Sequence, residues 1–70
     1  MYDYIRRSYH VTPIVGQRVR HTELRDNNEG KIAPEDFGQS HYVMVSFPGR
    51  HGGAAVPCHP TALEFLDHVA

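Results

Sequence analysis

Three scarcities limit what this chain can be. Its single cysteine, Cys58, excludes the internal disulfides that hold small secreted domains together. No apolar run approaches the length of a secretory signal or a membrane span. A chain of 70 residues buries only about 60% of its unfolded surface, which leaves little room for a buried catalytic cleft. These absences predict a soluble, cytoplasmic protein of one domain, with no membrane partner and no enzymatic activity.

Charge of either sign is also scarce. The net charge is -1 at pH 7, which provides no bulk attraction for nucleic acid. The distribution is uneven, because residues 1–25 hold five basic and two acidic side chains (net +3) and residues 26–70 hold two basic and six acidic ones (net -4). One basic and one acidic face follow if the fold separates the two groups.

Metal-binding and catalytic motifs are missing as well. The side chains that could bind a metal are His10, His21, His41, His51, Cys58, His59 and His68. None of them forms a Cys-x-x-Cys or His-x-x-x-His pair, which structural zinc in so small a domain usually needs. Cys58 and His59 are adjacent, so on a strand they point to opposite faces and cannot act as nucleophile and base. The sequence predicts no metal, no cofactor and no catalytic residue.

The clearest secondary structure is a strand over residues 41–47. Its apolar and remaining residues alternate with a period of two, which is typical of a strand with one face in a core. The side predicted to face the core carries Val43, Val45 and Phe47, and the side predicted to meet a partner carries Tyr42 and Met44.

Four further strands are predicted around this one. Residues 17–24 alternate, and the turn signal at 26–30 joins them to residues 31–33 as a hairpin. His21, on the inner side of that hairpin, is predicted to be a neutral structural histidine whose ring donates to a carbonyl and fixes a turn. A fourth strand is predicted at 54–56. The last segment is either a helix starting at Pro60 or a 3₁₀ turn at 60–62 followed by a strand at 63–66.

Two segments outside the strands carry aromatic residues. Residues 1–13 interleave tyrosine and arginine, and the pattern does not separate helix from strand, although Thr12-Pro13 ends any helix before it. These residues are predicted to form a partly ordered N-terminal arm that leads into a first strand and a domain over 14–70. Phe37, in the polar loop 34–40, is predicted to fold back as a plug on the core.

Five short strands with Gly- and Pro-marked turns predict an all-β fold, a small barrel whose closure removes exposed edges. Four segments then carry a family resemblance: Gly16-Gln17-Arg18-Val19-Arg20-His21, Gly30-Lys31-Ile32, Tyr42-Val43-Met44-Val45-Ser46-Phe47 and Ala62-Leu63-Glu64-Phe65-Leu66. In this order they resemble the SH3-like barrels of the Tudor/KOW kind. The closest likeness is to the C-terminal Tudor-like module of superfamily-1 repair helicases and to RNA-polymerase-interacting domains. The resemblance implies a five-stranded SH3-like barrel with a short 3₁₀ or α turn near the C-terminus.

Members of that family bind RNA polymerase, other proteins or nucleic acid, so the resemblance implies a non-enzymatic binding module. We expect a protein-interaction or regulatory accessory factor of a polymerase or helicase, encoded by a phage or another mobile element. Its recognition loops would be 24–30, 34–40 and 48–53. The alternative is direct binding of DNA or RNA through stacking tyrosines and phosphate-contacting arginines, and homodimerisation is a third option. The predicted binding residues are Tyr42, Phe37, Arg18, Arg20, Tyr4, Arg6, Arg7 and Tyr9.

Overall fold

Five short antiparallel strands form one sheet in a computed structural model that describes residues 1–66. The elements are α1 (Asp3–Tyr9), β1 (Arg18–His21), β2 (Glu29–Ile32), β3 (Val43–Ser46), β4 (Ala55–Cys58) and β5 (Leu63–Phe65), with 3₁₀ turns at Phe37–Gln39, His51–Gly53 and Pro60–Ala62. The sheet order is β4-β3-β2-β1-β5. The mostly-β class is therefore confirmed. Closure of the sheet into a barrel and its SH3-like nature stay predictions.

The predicted hairpin is present in β1 and β2. The predicted turn at 26–30 is only partly in the loop, because Glu29 and Gly30 already belong to β2 and pair with Arg20 and Val19. Within the loop, Asn27 takes a left-handed conformation with φ 50°. Glycine is required at position 30 because strands β2 and β3 approach each other closely there. A Cβ built on it would lie 2.4 Å from the carbonyl oxygen of Ser46, so no larger residue fits without movement of the backbone.

Strand β3 pairs with β2 and β4 as predicted, but the middle strand of the sheet is β2, and β3 lies second from the edge. The predicted core side is confirmed, since Val43, Val45 and Phe47 are all buried. The prediction that Met44 faces a partner is wrong, because its side chain is only 7% exposed. The buried hydroxyl of Tyr2 accepts the backbone N–H of Met44, so the N-terminal segment lies against β3 at this residue, a contact that strand alternation does not reveal.

The C-terminal segment follows the second of the two predicted alternatives. Pro60 starts a single 3₁₀ turn, and the Nδ1 atom of His59 caps that turn by accepting the backbone N–H of Thr61 at 3.3 Å. Strand β5 then pairs with β1, with Leu63 opposite His21. The predicted strand residue Leu66 lies just after β5, and residues 67–70 lie outside the described part of the chain.

The N-terminal arm is an ordered helix that forms part of the core. Tyr2 and Ile5 are buried with 1% and 0% exposure and belong to the same apolar cluster as Val19 and Ile32. The helix ends at Tyr9, before Thr12-Pro13, as predicted. The strand alternative for this segment is therefore wrong, while the domain boundary at residues 13 and 14 stays a prediction.

Candidate binding surfaces

The loop between β2 and β3 displays two large aromatic side chains to solvent. Phe37 is 77% exposed, so the prediction that it plugs the core is wrong, and Tyr42 is 41% exposed. Both were predicted to bind a partner, and the structure places them within one short connection. A single exposed apolar residue is ordinary, but a phenyl ring with three quarters of its surface in water has no packing role in the monomer.

The conformation of this loop is fixed by its own hydrogen bonds. Asp36 Oδ1 accepts the backbone N–H of Gly38 at 2.9 Å, and Asp36 Oδ2 accepts the side-chain amide of Gln39 at 3.2 Å. Ser40 Oγ donates to the carbonyl oxygen of Phe37 at 3.2 Å. An acidic side chain that bonds the backbone two residues later forms a local turn without tertiary contacts. The loop is held in this way, and Phe37 projects from it.

The tyrosines of α1 are packed against the body of the protein. Tyr4 stacks on His41 with a centroid distance of 4.1 Å and an interplanar angle of 14°. Tyr9 meets His59 edge to face at 5.6 Å, and its hydroxyl oxygen lies 3.4 Å from His59 Nε2. On its other side, His59 Nδ1 lies 3.3 Å from the backbone nitrogen of Thr61 and 2.7 Å from the hydroxyl oxygen of Thr61. Both tyrosines are half-buried, so their rings already have protein partners.

The predicted arginine stripe on β1 is paired with carboxylates. The register places Arg20 directly opposite Glu29 on β2 and Glu64 on β5. Arg20 Nη1 lies 2.8 Å from Glu64 Oε1, and Arg18 Nη2 lies 3.3 Å from Glu29 Oε1. Exposed pairs of this kind contribute about 0–1 kcal/mol each to stability. With Lys31 opposite Arg18, this face carries three cations and two anions, so most of its positive charge is balanced.

The remaining predicted arginines lie on the exposed side of α1. Arg6 forms an ion pair with Asp3 one turn earlier, and this hydrogen bond lowers the pKa of the Asp3 carboxyl. Arg7 is exposed and has no ion pair with any residue from 1 to 66. The basic residues of the arm and of β1 therefore do not form one uninterrupted positive surface.

A cleft that the sequence reasoning missed lies between the loops 22–28 and 47–54. It has a volume of about 340 Å³ and is lined by residues of both loops and by β4. Two of the predicted recognition loops, 24–30 and 48–53, border the cleft, so the sequence did indicate this part of the surface. It did not predict that Arg50 and His51 line the cleft, because residues in short loops show no periodic pattern.

His21 fixes a turn as predicted, but with the opposite hydrogen-bond direction. Its Nδ1 accepts the backbone N–H of Glu23 at 3.2 Å, whereas the sequence predicted donation to a carbonyl. The reason is that the chain turns immediately after His21 and brings a main-chain donor, not an acceptor, to the ring. The ring also meets Phe47 edge to face at 6.3 Å, which places it at the border of the core.

Cys58 lies on β4 in the apolar cluster rather than in a turn. Its side chain is 5% exposed, and burial raises the pKa of the thiol to about 11. Among residues 1–66, no three His, Cys, Asp or Glu side chains are grouped so that they could hold a metal ion, and His68 lies outside that range. Within the same residues, no helix has the length and apolar character needed to cross a membrane.

The comparisons with known proteins leave the resemblance as a prediction. No protein-family model matches the chain, and comparison with curated proteins and with solved structures gave no significant match.

Proposed function

We propose that this chain is a non-enzymatic protein-interaction module whose partner docks on the aromatic loop, defined as residues 36–42. The observation that carries the proposal is the exposure of Phe37, 77%, on a loop held by its own hydrogen bonds. Aromatic side chains dominate the binding energy of protein interfaces. A loop whose backbone is already held in place also loses little conformational freedom when a partner binds to it.

The proposed module is an SH3-like barrel of the Tudor/KOW kind. The pairing of β3 with β2 and β4 supports this, and so does the 3₁₀ turn before β5. Members of that family bind RNA polymerase, other proteins or nucleic acid. We therefore propose a cytoplasmic accessory factor, encoded by a phage or another mobile element, that acts on a polymerase or helicase.

Direct binding of nucleic acid ranks below protein binding. Arg18 and Arg20 contact Glu29 and Glu64, so binding phosphates there would require breaking ion pairs. The chain also has a net charge of -1, whereas nucleic-acid-binding domains of this size are usually basic. Affinity for an oligonucleotide that rises steeply as salt is lowered and is lost in the Arg18→Ala/Arg20→Ala double variant would reverse this ranking.

The decisive experiment is affinity capture from the host extract with identification of the retained proteins by mass spectrometry. We expect one discrete partner with the intact chain, and at least a tenfold loss of that partner with Phe37→Ala, which corresponds to about 1.4 kcal/mol. Tyr42→Ala should weaken capture as well. Ile14→Ala is the matched control, because Ile14 is 49% exposed but lies outside the aromatic loop.

Phe37→Ala should leave folding intact, since the ring packs on nothing in the monomer. Its free energy of unfolding should lie within about 0.5 kcal/mol of the parent value. A folded Phe37→Ala variant that captures the same partner as well as the parent chain contradicts the proposed site.

A further inference from the structure

The cleft between the loops 22–28 and 47–54 has an apolar floor. Leu24, Phe47, Val56 and Cys58 line it, and Phe47 and Cys58 are buried while Leu24 and Val56 are half-buried. Its volume, about 340 Å³, lies at the small end of the range of about 300–1,000 Å³ for small-molecule sites. The space suits one large apolar group rather than a long chain.

The rim of the cleft carries a guanidinium with unused donors. Arg50 Nε donates to the carbonyl oxygen of Asn27 at 3.2 Å, and Arg50 Nη2 donates to that of Asp26 at 2.7 Å. These bonds fix the arginine across the two loops and use two of its five N–H groups. Arg50 has no ion pair within residues 1–66, so its positive charge there is balanced by main-chain oxygens alone.

Two histidines stand beside this arginine. The Nδ1 atom of His21 accepts the Glu23 N–H, so Nε2 carries the proton and is a donor. His51, the second histidine, starts the 3₁₀ turn His51–Gly53 and has φ 54°, in the same left-handed region as Gly52 and Gly53.

The cleft therefore combines an apolar floor with a rim of donors, and among the described residues that line it there is no aspartate or glutamate. We propose that it binds a carboxylate attached to an apolar group. The apolar part would rest on Leu24, Phe47 and Val56, and the carboxylate would meet Arg50, whose planar fork matches two carboxylate oxygens.

This site is separate from the aromatic loop. Tyr42 and Phe47 flank the two ends of β3, and five residues of strand span about 16 Å. The cleft proposal is independent of the proposed function, because neither Phe37 nor Tyr42 lines the cleft. Phe37→Ala should abolish capture of the protein partner and leave binding in the cleft unchanged.

The test is a titration of the isotope-labelled chain, followed by two-dimensional amide NMR, with N-acetyl-phenylalanine and with its C-terminal amide. We expect the acid to shift the resonances of Leu24, Phe47, Val56 and the 47–54 loop, with an affinity at least about tenfold above that of the amide. A short peptide that ends in phenylalanine with a free carboxylate shows whether the natural ligand is the C-terminus of a protein or a small carboxylic acid. Tighter binding of the peptide indicates the C-terminus of a protein, and equal binding indicates a free carboxylic acid.

Two variants test the roles of the residues. Arg50→Gln should weaken the acid about tenfold and affect the amide much less, since it removes the charge that meets the carboxylate. Arg50 also bridges two loops, so Leu24→Glu is the second variant. It places a carboxylate at the floor without touching the bridge and should abolish binding of the acid. The proposal is overturned if the acid produces no shifts in the cleft at about 10 mM, if acid and amide bind alike, or if folded Leu24→Glu binds the acid normally.

Discussion

The hydroxyl group of Tyr2 ties helix α1 to the sheet, and its removal is the sharpest test of the fold. The hydroxyl donates to the carbonyl oxygen of Ala33 at 2.6 Å and accepts the backbone N–H of Met44 at 3.1 Å. The ring around it is 1% exposed. Tyr2→Phe removes both hydrogen bonds at once while preserving the ring that packs in the core.

The expected loss of stability follows from what the substitution leaves behind. Met44 keeps a buried N–H whose partner has gone, and an unsatisfied buried donor costs about 1–3 kcal/mol. We therefore expect Tyr2→Phe to lower the free energy of unfolding by about 2 kcal/mol. For a domain of this size each kcal/mol corresponds to about 4–8 °C, so the melting temperature should fall by roughly 8–16 °C.

Tyr9→Phe is the matched control, because it removes the same atom from the same helix. The Tyr9 hydroxyl makes one long contact of 3.4 Å at the surface, so its loss should cost less than about 0.5 kcal/mol. Urea unfolding followed by circular dichroism measures both variants, with unchanged m-values as the sign of an unchanged unfolded state. Equal stability of the two variants refutes the role assigned to the Tyr2 hydroxyl.

Three further predictions concern Gly30, Cys58 and alkaline pH. Gly30→Ala should lower the free energy of unfolding in urea by about 1–3 kcal/mol, because the new Cβ would lie 2.4 Å from the carbonyl oxygen of Ser46. Gly38→Ala is the milder control, because a Cβ there would lie 3.3 Å from its nearest neighbour, and equal losses in the two variants would contradict the steric explanation. The Cys58 thiol, with its pKa raised to about 11 by burial, should react with a disulfide reagent at pH 7 far more slowly in the native protein than in urea, and equal rates would contradict its burial. Burial raises the pKa of the Tyr2 hydroxyl too, so at alkaline pH the native state keeps protons on both groups that the unfolded state has lost. The free energy of unfolding should therefore fall as the pH rises from about 9 to 11. Cys58→Ala should make this fall less steep.

The strands could be predicted because their signals are local. The two-residue period of β3 and the turn signals between β1 and β2 both lie within a few residues of the elements that they define. Gly30 was part of a recognised motif, although the reason for it, the approach of Ser46, appears only when β2 and β3 are paired.

The binding residues were harder to place because their surroundings come from distant parts of the chain. Arg18 and Arg20 look like a positive stripe in the sequence, but Glu64 neutralises Arg20 only through the pairing of β5 with β1. The cleft likewise depends on two loops that meet across the sheet, and Arg50 bridges them through main-chain oxygens. Neither contact leaves a pattern in the sequence.

The errors at Phe37 and in the N-terminal arm have one physical cause. The sequence predicted that Phe37 would fold back on the core and that residues 1–13 would be only partly ordered. The buried aromatic side chain in this region is instead Tyr2, whose backbone N–H donates to Glu35 and whose hydroxyl donates to Ala33, both at the start of the loop that contains Phe37. Because the helix covers the core there, the loop has no need to fold inward. The burial of Tyr2 and the exposure of Phe37 are thus two consequences of one arrangement, in which the N-terminal segment completes the core and leaves the aromatic loop exposed to solvent.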